Sequence, residues 1–141
     1  MSEQLSELPP PLIANEPVQI ADGVHVIPDG GVPLVPNVGI VVGTRAVLVV
    51  DTGMGPENGG RVRTHAERLA RTRPLRLTLT HFHPEHGFGA QAFDNVPIVY
   101  NRDQRDELRQ KGESYLGMFR TFGDSVAKQL EGVEFVGPDV V

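Results

Sequence analysis

Three of the five histidines fall within six residues, in Thr80-His81-Phe82-His83-Pro84-Glu85-His86-Gly87-Phe88-Gly89. His81 and His83 are separated by a single residue. On extended backbone, alternate side chains point the same way, about 6.6 Å apart along the strand, so two imidazoles can converge on one ion. Pro84 disfavours the helical region for His83 and keeps this part extended. Glu85 and His86 come where the chain must turn. They can reach back to the same ion or to a second one beside it. Imidazole nitrogens and carboxylate oxygens suit zinc, and also iron or manganese. A lone histidine near a strand end is usually structural. Three of them at a strand-to-helix junction, with a carboxylate between the last two, point to a metal site. His81, His83 and either His86 or Glu85 supply three protein ligands and leave a fourth position for water.

Such a cluster needs a scaffold. Leu75, Leu77 and Leu79 alternate with Arg76, Thr78 and Thr80, which predicts a strand. It delivers the cluster at its carboxyl end, where open α/β sheets hold ligands. Val38–Val42 and Ala46–Val50 are near-continuous apolar runs joined by Gly43-Thr44-Arg45. They predict a central hairpin covered on both faces. Asp51 follows the second run, and a carboxylate there needs a partner or caps a turn with Thr52-Gly53. From Asn58 to Thr72, Val62, His65, Ala66, Leu69 and Ala70 fall at helical spacing, with Arg61, Arg63, Arg68 and Arg71 on a solvated face. His65 reads as a packing residue. His25 reads as a structural histidine in a short hairpin over residues 18–28.

After the cluster, residues 86–93 read as helical and Val96–Tyr100 as a short strand. Asn101 caps a polar helix from Arg102 to Lys111, with Glu107 and Lys111 as an i,i+4 pair. A second helix from Glu113 to Leu130 carries Tyr115, Phe119, Phe122, Val126 and Leu130 on its apolar face. Val133–Val136 reads as a last strand. Residues 1–17, with Pro9-Pro10-Pro11, read as a flexible proline-rich arm.

The histidine cluster resembles the H-x-H-x-D-H signature of the metallo-β-lactamase fold superfamily, with Glu85 where that family usually has aspartate. Upstream, Asn37–Gly43 and Ala46-Val47-Leu48-Val49-Val50-Asp51-Thr52-Gly53 are similar to that family's early strands and D-T-G turn. The resemblance runs from about Val18 to about Tyr100. It implies an α/β (α+β) fold, a mixed β-sheet flanked by helices, which is the N-terminal half of a four-layer αββα sandwich. This half occupies residues 18–141, with a helical extension at 102–131. The resemblance also implies a metal-dependent hydrolase with one or two zinc ions, or iron or manganese. His81, His83, Glu85 and His86 are the implied ligands, and Asp51 supports them from behind. The implied mechanism has metal-activated water attack an ester, amide, thioester or phosphoester bond of a small-molecule substrate, with Glu85 as the catalytic residue that moves the proton.

That family draws further ligands from its second half, whereas no histidine follows His86 here. An alternative expectation follows. The chain is a catalytically inactive half-domain that binds metal weakly or not at all. Its uncovered sheet face is then a large apolar patch, through which two copies pair as a homodimer.

Composition narrows the partners. At 141 residues the chain is long enough for one domain with a core. A net charge of −5 argues against a broad electrostatic grip on nucleic acid. Absence of cysteine excludes disulfides and thiolate zinc sites, and fits the cytoplasm. The N-terminus lacks the pattern of a signal peptide. No apolar run approaches the ~20 residues that span a bilayer, so no membrane partner is expected.

Overall fold

A computed structural model describes residues 8–141. Six strands form one sheet in chain order, β1-β2-β3-β4-β5-β6. They are β1 (Val18–Ala21), β2 (Val24–Ile27), β3 (Val38–Val42), β4 (Val47–Val50), β5 (Leu75–Thr78) and β6 (Ile98–Val99). The first four pair antiparallel. β5 joins β4, and β6 joins β5, in parallel. Parallel neighbours need a crossover, and α1 (Gly55–Ala70) supplies the one between β4 and β5. Beyond β5 come α2 (Pro84–Gly87), a 3-10 turn (Ala90–Ala92), α3 (Arg102–Arg120) and α4 (Asp124–Gln129). The expected α/β class, a mixed sheet flanked by helices, is the class observed.

Alternation decides which face is buried. Val38, Ile40, Val47, Val49 and Leu77 are wholly buried, as are Val62 and Ala66 of α1, which packs on these strands. The opposite face differs from the expectation that both sides are covered. Val41 and Leu48 lie side by side across β3 and β4, 39% and 37% exposed. Both faces of these strands carry aliphatic residues, so no polar alternation marked the open side.

α1 begins earlier than its apolar spacing predicts, because Pro56 sits in its first turn, where a missing N–H costs nothing. Its arginines do more than face solvent. Arg61 donates to the Ile13 carbonyl at 2.8 Å, and Arg63 to the carbonyls of Ala92 and Asp94 at 3.1 and 2.7 Å. The N-terminal segment also differs from the expected loose arm over residues 1–17. Residues 1–7 lie outside the described residues. Beyond them, Ile13 is buried, its N–H donates to Asn58 Oδ1 at 2.8 Å, and Asn58 Nδ2 donates to the Pro11 carbonyl at 2.7 Å.

The C-terminal part needs three corrections. The two helices expected around Gly112 are one helix. Gly112 is buried against Leu108 and the Phe135 ring, so its missing side chain makes room for packing and the helix runs on. The break comes at Gly123, whose φ of 138° suits glycine alone. Glu107 accepts from the Tyr115 hydroxyl at 2.7 Å instead of pairing with Lys111. Residues 133–136 are not a strand. Phe135 packs on Phe88 at 5.1 Å between ring centres, and Glu134 N–H donates to Gln91 Oε1 at 2.8 Å. The sheet edge is met instead by Val140, which bridges Val99 in parallel. As predicted, Asn101 caps α3, in a reciprocal pair with Gln104. Among the described residues, no helix is long and apolar enough to cross a membrane.

Candidate metal centre

The site is built where β4 and β5 end side by side. Asp51 leaves β4 with φ at 74°, a left-handed conformation that aspartate tolerates better than most residues. That turn redirects the chain while its N–H still bonds the Thr78 carbonyl of β5 at 2.9 Å. The Asp51 carboxylate is buried and fully engaged. Oδ1 accepts from Thr80 N–H at 2.8 Å, and the Thr80 hydroxyl lies 3.1 and 2.9 Å from the two oxygens. Oδ2 lies 2.8 Å from His86 Nδ1.

Thr52 and Gly53 complete the cradle. Thr52 N–H donates to the His86 carbonyl at 2.8 Å, and Gly89 N–H donates to Thr52 Oγ1 at 3.0 Å. The turn after β4 therefore holds both ends of the segment that carries His86. Gly59 of α1 adds a second clamp. A side chain at Gly59 would collide with the Gly89 carbonyl, so helix and loop meet backbone to backbone.

Local sequence sets the rest. Pro84 keeps His83 extended, with φ −85° and ψ 151°, and starts α2 immediately after it. That single helical turn swings Glu85 and His86 back over the end of β5. The rings of His81 and His86 come within 4.1 Å, centre to centre, and those of His81 and His83 within 4.7 Å. His81, Glu85 and His86 each offer a ligand atom, all within 4.8 Å of one another. His83 lies outside that set. Its ring stands at the rim, 52% exposed, edge-on to Tyr115 at 5.5 Å between ring centres. Its Nδ1 is 3.8 Å from Glu85 Oε1.

Electrostatics favour the ligand form of His81. Burial, then the neighbouring His86 and His83 rings, hold it below the ordinary histidine value, against the opposing pull of Asp51 and Glu85. A neutral imidazole is the form that binds metal. The donor set fits a borderline ion such as zinc: two imidazoles and one carboxylate, with His86 Nδ1 turned inward to Asp51, leaving its Nε2 outward.

Of the residues expected from sequence, the structure brings together His81, Glu85, His86 and Asp51, and sets His83 beside them. His25 and His65 stay apart. His25 faces Ile40 across β2 and β3, and His65 Nδ1 lies 3.6 Å from Glu16 Oε2. Three neighbours were missed. Thr80 looked like one more polar alternate of its strand, although its place just before His81 was a signal. Tyr115 looked like part of an apolar stripe. Gln104 also reaches the site's base, donating to the Leu79 carbonyl at 2.8 Å. A cavity of about 600 Å³ between Phe93, Ile98 and Val136 includes none of the site residues in its lining.

Comparison with known proteins bears on the family and the fold. The family model described as the Metallo-beta-lactamase superfamily matches residues 31–141. Among solved structures, a metallo beta lactamase from Erythrobacter litoralis, with beta mercaptoethanol in its active site, is similar at 23% identity and a TM-score of 0.55. The match covers 68% of this chain and 45% of that one. A metallo beta lactamase from Hirschia baltica is similar at 21% identity and a TM-score of 0.56, covering 69% of this chain and 48% of that one. A motif mutant of the Cronobacter sakazakii metallo-beta-lactamase is similar at 15% identity and a TM-score of 0.56, covering 91% and 46%. At these identities the likeness shows the fold. The matches span less than half the length of those chains. No curated protein sequence matches.

Proposed function

The chain belongs to the metallo-beta-lactamase superfamily, and from that premise we propose that it provides the metal-binding part of a metal-dependent hydrolase. His81, Glu85 and His86 hold the ion, and His83 joins them from the rim or serves a second ion. One observation carries the reading. Three donors of the right chemistry lie within 4.8 Å of one another, above a buried carboxylate that orients one of them. Zinc bound there would supply a Lewis acid that makes water nucleophilic near neutral pH.

The chain's own groups do the remaining work. Asp51 holds His86 Nδ1–H and so keeps Nε2 as the donor. Glu85, half-buried, takes up a proton on its carboxylate. His83 Nδ1 lies 3.8 Å away, at the exposed rim of the site. Tyr115 packs edge-on against His83 and limits the swing of that ring. The proposed substrate is a small molecule with an ester, amide, thioester or phosphoester bond.

The test is zinc content on chain purified without chelator, compared with the His81→Ala/His86→Ala variant. About one zinc ion per chain is expected in the wild type, the count that three protein ligands support, and none in the variant. Equal zinc in both would place the metal elsewhere and end the proposal. Hydrolysis of chromogenic ester and lactam substrates, lost in the same variant, tests the reaction.

A second reading rests on the open sheet face, where Val41 and Leu48 are exposed side by side. We propose that this face pairs two copies of the chain. Sedimentation equilibrium of wild type and Leu48→Glu tests it. A dimer that the charge splits supports pairing, and a wild-type monomer at every concentration ends it.

A further inference from the structure

We propose that the Thr80 hydroxyl is a positioning relay, through which the buried Asp51 carboxylate fixes His81 as well as His86 in the form that presents Nε2 to a ligand. The proposal deepens the metal-centre reading and rests on it.

One proton decides the arrangement. Thr80 Oγ1 lies 2.9 Å from Asp51 Oδ2, 3.1 Å from Oδ1 and 3.0 Å from His81 Nδ1. A hydroxyl has one hydrogen to donate and two lone pairs to accept with. The carboxylate can only accept. If the hydroxyl donated to His81, its lone pairs would face carboxylate oxygens at hydrogen-bonding distance, which is repulsive. The hydrogen therefore goes to Asp51, the stronger acceptor. The oxygen then has only a lone pair for His81, so Nδ1 must carry the proton. Nε2 is left with its lone pair free.

Position supports the relay. Thr80 N–H is pinned to Asp51 Oδ1 at 2.8 Å, so the residue's backbone is fixed against the carboxylate that its hydroxyl serves. The same carboxylate receives His86 Nδ1 directly at 2.8 Å. One buried charge thus orders two imidazoles, one directly and one through a single hydroxyl. Serine can do the same work, whereas valine has threonine's shape without the hydroxyl.

The experiment uses the full chain, zinc-free, with nitrogen-labelled histidine. Long-range proton–nitrogen spectra at about pH 8.5, above the ordinary histidine range, report which ring nitrogen is protonated. Wild type and Thr80→Ser should show His81 protonated at Nδ1, and Thr80→Val should shift it to Nε2. His86 should stay protonated at Nδ1 in all three, which checks that the fold and Asp51 are intact. Zinc titration against a chromophoric chelator should show Thr80→Val weaker by about ten- to a hundredfold, the usual effect of losing such a support, and Thr80→Ser near wild type.

Unchanged His81 protonation in Thr80→Val, or no rescue by Thr80→Ser, overturns the relay. Zinc affinity in Thr80→Val equal to wild type also overturns it. A wild type that takes up no zinc overturns the metal-centre reading instead, and the zinc-free spectra still decide the relay.

Discussion

Replacing Asp51 by asparagine turns one carboxylate oxygen into an NH2 group and removes the charge, with little change of shape. Asparagine tolerates the left-handed backbone at this position, so the fold should survive. Asp51 accepts from three donors: Thr80 N–H, the Thr80 hydroxyl and His86 Nδ1–H. An asparagine oxygen facing Thr80 would leave its NH2 group pointing at His86, donor against donor. The imidazole must then give up its Nδ1 proton, and Nε2 becomes protonated and closed to metal. A hydrogen bond to a charged group contributes about 1.5–3 kcal/mol, and that is the expected loss of stability. The expected loss of zinc affinity is about ten- to a hundredfold. Urea unfolding of the zinc-free chain reads the first quantity, and competition with a chromophoric chelator reads the second. Asp51→Ala and Asp51→Gly both remove the acceptor. Only alanine adds the left-handed backbone penalty, so it should be about 1–2 kcal/mol less stable than glycine. Asparagine matching wild type in both stability and affinity would refute the assignment of Asp51 as the residue that orders His86.

Gly59→Ala should destabilise the chain by about 1–3 kcal/mol, because the new methyl group strikes the Gly89 carbonyl. Its neighbour Gly60 has open space, so Gly60→Ala should stabilise by up to about 1 kcal/mol through helix propensity; thermal melts of both test the opposite signs. Burial raises Tyr100 above the ordinary tyrosine value, so its neutral form stabilises the fold below about pH 10 and that contribution is lost as pH rises further. Absorbance at alkaline pH should show Tyr100 ionising only together with unfolding. His81 is shifted the other way. Its folded value lies below 6.5, so its contribution is present above that pH and is lost as pH falls through the folded value. The zinc-free wild type should therefore lose more stability between about pH 7 and pH 5 than His81→Gln does, as read from urea midpoints.

The strand that carries the cluster was legible because its leucines alternate strictly with polar residues. The D-T-G turn and the histidine spacing were legible because each residue type there has a narrow physical use. Strand composition did not mark the open face of β3 and β4, since Val41 and Leu48 are as apolar as the buried Ile40 and Val49; only the resemblance to half of a sandwich implied an uncovered face. The continuity of α3 was hidden by Gly112, which looked like a breaker and is a packing contact. Val133–Val136 had the composition of a strand, but side-chain contacts from Phe88 and Gln91 claimed it first. At the site, spacing brought four ligand candidates into one place. It could not say that His83 stands at the rim, because Tyr115, far along the chain, packs against that ring. Thr80 escaped notice because its role depends on a partner 29 residues away.

The strict chain order of the sheet bears on how the molecule is made. Each new strand lays itself beside the one synthesised just before it, so no early strand waits for a late one. Chains with such local wiring assemble quickly and lend themselves to folding during synthesis. The Asp51 cradle needs nothing beyond Gly89 for its backbone and side-chain bonds. The ligand cluster is therefore expected to take shape while α3 is still unmade, with Tyr115 and Gln104 closing over it afterwards. Pulsed hydrogen exchange during refolding should find the β3–β5 amides protected before those of α3. The reverse order would mean that the late helix templates the site.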